Sequence, residues 1–274
     1  MVRGSSSNLA LGVIGGGVMA EAIVSRAIAQ KVFAADSIIV SEPQQPRREF
    51  WQQHYGVVVT DNNLDVMEAP TVLLAIKPQI LDSVVTALNL KSDRELTPLI
   101  ISILAGVPLE RLESAFSGCS VIRVMPNTPA TVGAAMSAIA YQPNVTSQQV
   151  ATATKIFSAV GEIVTVPEYL MDGVTGLSGS GPAYVALTIE ALADGGVAVG
   201  LPRAIAQQLA IQTVLGTAKL LQESKMHPAE LKDRVSSPGG TTIAGVAALE
   251  KASFRAAIIE AVKASYQRSQ KLGS

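Results

Sequence analysis

Apolar and polar positions follow two different rhythms along the chain. Up to about residue 166, short β-branched runs recur at 9–14, 37–41, 71–76, 99–103 and 120–125. The stretches between them have helical composition, clearest at 19–29 and 79–88. Strands alternating with helices predict βαβ units and a parallel sheet. Further runs at 133–140 and 163–166 read as edge strands around a helix at 147–160. That helix places Val150, Ala153, Ile156, Phe157 and Val160 along one face. After Pro167 the β signal stops. Segments 182–199, 202–223 and 242–271 carry Ala, Leu and Ile at helical spacing, and a shorter helix at 228–235 precedes a glycine-rich turn. Pro182 and Pro202 fall where a proline suits the first turn of a helix. The expected fold class is α/β: a doubly wound sheet over residues 1–166, then an all-α C-terminal domain over 167–274.

Composition narrows the function. The 274 residues are 48% hydrophobic but only 4% aromatic, so the apolar content is mostly small aliphatic and suits a buried parallel sheet. Net charge is −1, which gives no drive toward nucleic acid or anionic membrane. One cysteine, Cys119, and two histidines, His54 and His227, leave no intramolecular disulfide and no multi-cysteine or HExxH metal site. The polar start and the lack of a long apolar run predict a cytoplasmic protein without a membrane span. Between Lys155 and Lys219 the charged residues are Glu162, Glu168, Asp172, Glu190, Asp194 and Arg203. Helices this apolar predict burial against a partner subunit, and hence a homodimer.

The first strand runs into Gly15-Gly16-Gly17-Val18-Met19-Ala20, which fits G-x-G-x-x-A. Gly15 permits the tight turn, Gly17 lets a pyrophosphate approach the backbone, and Ala20 lets helix and strand pack closely. The helix start then offers unpaired N–H groups to the anion. This makes the first domain Rossmann-type, with Gly15, Gly16, Gly17, Val18 and Met19 as cofactor-binding positions. The cofactor ribose is expected at the end of the second strand. Ser41 with Arg47 and Arg48 favours the 2′-phosphate of NADPH, whereas Glu42 favours the free hydroxyl of NADH. The reading leans to NADPH, with NADH open. Ala75-Ile76-Lys77-Pro78 ends another strand at the ligand-binding edge, where Lys77 can line the ribose or nicotinamide.

Two loops in the later part combine glycines with a helix start: 177–184 and Ser236-Ser237-Pro238-Gly239-Gly240-Thr241-Thr242. Exposed backbone N–H groups there can hold a carboxylate as readily as a phosphate. His54 reads as a surface residue and His227 as a helix-entry residue.

With these motifs in view, the sequence resembles the pyrroline-5-carboxylate reductases over nearly its whole length. The resemblance rests on the glycine loop, Ala75–Gln79, Val124-Met125-Pro126-Asn127-Thr128-Pro129, the 177–184 loop and His227-Pro228-Ala229-Glu230-Leu231. Most specific is Val235-Ser236-Ser237-Pro238-Gly239-Gly240-Thr241-Thr242, followed by Ala248-Leu249-Glu250. It implies reduction of 1-pyrroline-5-carboxylate to L-proline by hydride from NAD(P)H, the last step of proline synthesis. It implies homodimers that often assemble into decamers. It also implies that Ser237, Gly239, Gly240, Thr241 and Thr242 bind the substrate carboxylate, that the Thr242 hydroxyl approaches the ring nitrogen, and that Asn62, Ala75, Lys77 and Pro78 line the cofactor. At Lys225 some relatives carry Glu, so a contribution from that side chain is in question.

Two rival readings are weaker. A hydroxy-acid dehydrogenase shares this plan but needs a base for the hydroxyl proton, and no lysine lies between Lys155 and Lys219 to resemble the one those enzymes use. A non-enzymatic dinucleotide sensor would have no use for the 237–242 loop. Imine reduction needs positioning and a hydrogen bond at nitrogen rather than a strong acid.

Overall fold

The computed structural model describes residues 9–88 and 97–273. The polar N-terminal residues used in the localisation reading lie outside this range. The strands are β1 (Leu11–Ile14), β2 (Ile38–Ser41), β3 (Val58–Thr60), β4 (Thr71–Leu74), β5 (Leu99–Ser102), β6 (Val121–Met125), β7 (Ala135–Tyr141) and β8 (Gly161–Thr165). They form one sheet in the order β3-β2-β1-β4-β5-β6-β7-β8. All neighbours are parallel except β6 and β7. The order reverses between β1 and β4, the switch point where doubly wound sheets bind ligands beyond the strand ends.

The sheet is covered on both faces, which is why its central strands are apolar without alternation. Leu11 and Val13 of β1 enter one buried cluster with Ile23, Trp51 and Phe157. Ile14 enters the other with Val66, Leu81 and Phe116. The helices of this part are α1 (Val18–Ala29), α2 (Gln45–Tyr55), α3 (Asn63–Val66), α4 (Leu81–Leu88), α5 (Leu109–Ala115), α6 (Ser147–Ser158) and α7 (Met171–Val174). A Thr146–Gln149 capping box starts α6. Of the two strands expected at the edge, β7 is interior and β8 is the edge.

The chain divides into two compact units, Met1–Gly179 with Ser265–Ser274, and Ser180–Ala264. This division falls later than the expected 166/167 boundary, for a physical reason. Arg123 of β6 pairs with Glu168 at 2.5 Å. Asp172 accepts from Ser269 at 2.6 Å. Asn127 donates to the Ser178 carbonyl at 3.1 Å. These contacts fasten residues 168–179 to β6, to the turn that follows it and to the end of α12, although their sequence carries no strand.

The second unit is built from α8 (Gly181–Ala198), α9 (Arg203–Ser224), α10 (Pro228–Val235), α11 (Thr241–Lys251) and the first part of α12 (Phe254–Gly273). Ala193, Ala206 and Ala210 are buried between α8 and α9. A Cβ on Gly196 would lie 3.0 Å from the Ala206 Cβ, so small residues set how closely these helices approach. Pro202 stands at the N-cap of α9 rather than inside its first turn. The single helix expected over 242–271 is two helices, separated at Ala252 and Ser253, where Ser253 has φ +59°.

Candidate functional site

Gly15, at φ +98°, turns the chain out of β1 in a conformation that favours glycine. Gly17 caps α1 in an extended conformation with no side-chain cap. The amides of Gly17, Val18 and Met19 have no acceptor among the described residues. A Cβ on Gly17 would meet nothing within 4 Å. An open face with several bare N–H groups at a helix N-terminus fits a pyrophosphate, so these residues suit a dinucleotide.

Gly16 has a different role from its neighbours. Its N–H donates to Glu42 Oε2 at 3.0 Å. Its carbonyl accepts from Arg47 Nε at 2.6 Å and from Trp51 Nε1 at 3.0 Å. A Cβ there would come within 2.6 Å of the buried Trp51 indole nitrogen, so only glycine fits.

Arg47 also pairs with Glu21 of α1 at 2.5 Å and lies over the Phe50 ring at 4.4 Å. Burial pushes the Glu21 carboxyl up, but hydrogen bonds from Arg47 and Tyr55, with the Arg47 charge, outweigh it and hold Glu21 below its ordinary value. Burial, then the Glu21 carboxylate, pushes the Tyr55 phenol up. Arg48 donates to the carbonyls of Glu42 and Pro43. Both arginines expected at a 2′-phosphate are therefore engaged with protein groups, and so is Glu42.

The end of β2 has another pair that sequence reasoning missed. Ser41 donates to Asn63 Oδ1 at 2.6 Å. Asn62, the residue expected at the cofactor, also caps α3 by accepting from the Leu64 amide and donates to Asp65. No sequence signal separates two adjacent asparagines; only the helix start does. Ala75 adjoins the glycine loop, since a Cβ on Gly15 would lie 2.7 Å from its carbonyl oxygen. Lys77 is exposed just beyond β4, at the N-cap of the short turn opened by Pro78; its carbonyl accepts from the Ile80 amide, and its side chain has no ion pair or hydrogen bond among the described residues. Asn127 fastens the nearby 175–179 segment, accepting from the Met136 amide as well as donating to Ser178.

In the second unit, Gly239 turns at φ +66° and Gly240 caps α11 in an extended conformation without a side-chain cap. The Gly240 amide donates to the Ser237 carbonyl at 3.1 Å. The amides of Thr241, Thr242 and Ile243 have no acceptor among the described residues. Thr242 is half-buried while Ser237 and Thr241 are exposed. Lys225 ends α9 in a left-handed conformation, at φ +54°. His227 caps α10, its Nδ1 accepting from the Ala229 amide, and His54 stacks on Phe50 on the surface of α2. Burial pushes the Cys119 thiol up. No cluster of three or more metal-ligating side chains occurs among the described residues, and no described helix is long and apolar enough to cross a membrane.

A sheet of this order, with bare amides at its switch point, defines the class: a doubly wound dinucleotide-binding fold followed by a helical unit. Residues 10–106 match the family described as NADP oxidoreductase, coenzyme F420-dependent, and residues 168–272 match pyrroline-5-carboxylate reductase dimerisation. A pyrroline-5-carboxylate reductase of Synechocystis sp. is 61% identical over 97% of this chain and 99% of that protein. One from Arabidopsis thaliana is 44% identical over 96% and 95%. Among solved structures, the Coxiella burnetii reductase aligns with TM-score 0.88 at 33% identity over 98% of this chain and all of that one. The Plasmodium falciparum enzyme, solved with NADP bound, aligns with TM-score 0.86 at 32% identity over 97% and 99%. The chain belongs to the pyrroline-5-carboxylate reductase family. It is an NAD(P)H-dependent oxidoreductase of the last step of proline synthesis, and it carries the family's oligomerisation domain.

Proposed function

We propose that residues 237–242 hold the carboxylate of 1-pyrroline-5-carboxylate and that Thr242 hydrogen-bonds its ring nitrogen during reduction to L-proline. The observation that carries this reading is the row of amides at Thr241, Thr242 and Ile243 without acceptors, behind an extended Gly240. Such a row suits a carboxylate. Gly15, Gly17, Val18 and Met19 cradle the dinucleotide pyrophosphate, with Ser41 and Lys77 at the neighbouring strand ends. When bound there, NAD(P)H supplies the hydride. The protonated imine is already an electrophile, so the protein's part is positioning. The ring C=N double bond becomes single as hydride adds to its carbon, on the side of the nitrogen away from the carboxylate-bearing carbon, and the nitrogen keeps its proton as the product amine. The Thr242 hydroxyl holds one hydrogen bond at that nitrogen throughout.

The working unit in this reading is a cytoplasmic homodimer that assembles further into a decamer. Leu187 of α8, Leu209 and Leu215 of α9 and Ile259 of α12 are more than half exposed in the single chain. Light scattering at micromolar concentration should find no stable monomer.

Thr242→Val tests the catalytic role. It keeps the volume and removes the hydroxyl. A lost hydrogen bond to a charged group costs about 1.5–3 kcal/mol, so kcat/KM should fall roughly 10- to 150-fold at ~1.36 kcal/mol per decade. A destabilised variant with undiminished kcat/KM would show that Thr242 only starts the helix.

A further inference from the structure

We propose that Glu42, Arg47 and Trp51 are positioning residues that fix the Gly16 peptide, and so aim the α1 amides at the cofactor pyrophosphate, without reading the ribose 2′ position. This inference rests on the glycine loop being the pyrophosphate site.

Both polar groups of Gly16 are held by side chains from the segment after β2. The Glu42 carboxylate is fully engaged, one oxygen on the Gly16 amide and the other on the Gln44 amide, each at 3.0 Å. The Arg47 fork spans the helix start: Nε bonds the Gly16 carbonyl, just before α1, and Nη2 pairs with Glu21 in its first turn. A planar guanidinium can serve both groups at once, whereas an ammonium cannot. Trp51 is wholly buried and adds a second donor to the same carbonyl. With Gly16 fixed, the next residue meets open space and its amide is bare. The guanidinium also offsets the Glu21 carboxylate, which would otherwise stand unopposed in the first turn of the helix that meets an incoming dianion. Neither the geometric effect nor the electrostatic one depends on whether the ribose carries a 2′-phosphate.

The test is equilibrium titration of NADPH and NADH into the full-length protein carrying Arg47→Met, Glu42→Gln or Gly17→Glu. Arg47→Met should raise both Kd values by a common factor of about ten, leaving their ratio within about twofold of the parent. Glu42→Gln keeps one of its two acceptor bonds and should act in the same direction by about threefold. In steady state the loss should appear in KM for the cofactor rather than in kcat, which a general loss of folding would not produce. Gly17→Glu fills the open face with a negative side chain and should abolish binding of both cofactors.

If Arg47→Met weakens NADPH alone, Arg47 is a 2′-phosphate ligand and the proposal falls. It also falls if Arg47→Met and Glu42→Gln lower Tm but bind both cofactors as the parent does. If Arg47→Met does not fold, unchanged Kd values for Glu42→Gln overturn it alone. Parent-like binding by Gly17→Glu would instead remove the loop from the pyrophosphate site, and the proposal with it.

Discussion

Replacing Arg123 with Met should unlock the segment that leads from the sheet to the 175–179 loop. The Arg123 side chain is 5% exposed and Glu168 27%. Glu168 Oε1 accepts from both the Arg123 guanidinium and the Leu109 amide, while its Oε2 is buried without a partner among the described residues. Met retains most of the aliphatic packing, so the cost falls on the carboxylate left without its cation. Removing one partner of a buried pair costs about 3–5 kcal/mol, and the partial exposure of Glu168 puts this case near ~3 kcal/mol. At ~2–4 °C per kcal/mol for a unit of this size, Tm should fall by roughly 6–12 °C. The assay is thermal unfolding by circular dichroism at one protein concentration, because melting of an oligomer depends on it. Replacing both residues with Met removes the stranded charge and should return stability to within ~1 kcal/mol of the parent. Strict additivity of the two single substitutions, or an Arg123→Met variant that melts like the parent, would refute the argument.

Further outcomes follow from other buried or charged groups. Ser137 lies in β7, fully buried, with its hydroxyl unpartnered among the described residues. Ser137→Ala should leave stability unchanged or raise it by up to ~1 kcal/mol, and a loss above that in chemical denaturation would reveal a missed partner. Because Glu21 is held below its ordinary value, its contribution is complete above the unfolded-state value and is lost as pH falls through the lowered one. Glu21→Gln should therefore flatten the acid side of the Tm–pH curve, whereas an identical curve would show that the Arg47 pair adds nothing.

What the sequence discloses depends on how each element is stabilised. β1, β2, β4 and β5 are buried on both faces and read as largely apolar runs, and β6 does so except at the buried Arg123. β3 has only three residues at the sheet edge, with Val58 exposed, and leaves no pattern. α2 is almost wholly polar, and Trp51 is its single buried residue, so no apolar stripe marks it. The break between α11 and α12 sits at Ala252-Ser253, without the glycine or proline that normally punctuates a helix. The glycine loop and the 237–242 loop are legible because their chemistry is local and backbone-borne. The partners of Glu42 and Arg47 are not, because they lie 26 and 31 residues away and meet only through the sheet. The same limit hid the attachment of residues 168–179 to the sheet, which depends on Arg123.

In the proposed function this chain reduces 1-pyrroline-5-carboxylate with a nicotinamide cofactor. The most direct measurement is loss of reduced-nicotinamide absorbance when 1-pyrroline-5-carboxylate is added to the purified protein, with proline quantified in the same sample. Oxidation should require both substrates and yield one L-proline per cofactor consumed. Tight NADPH binding without any proline formed would contradict that function.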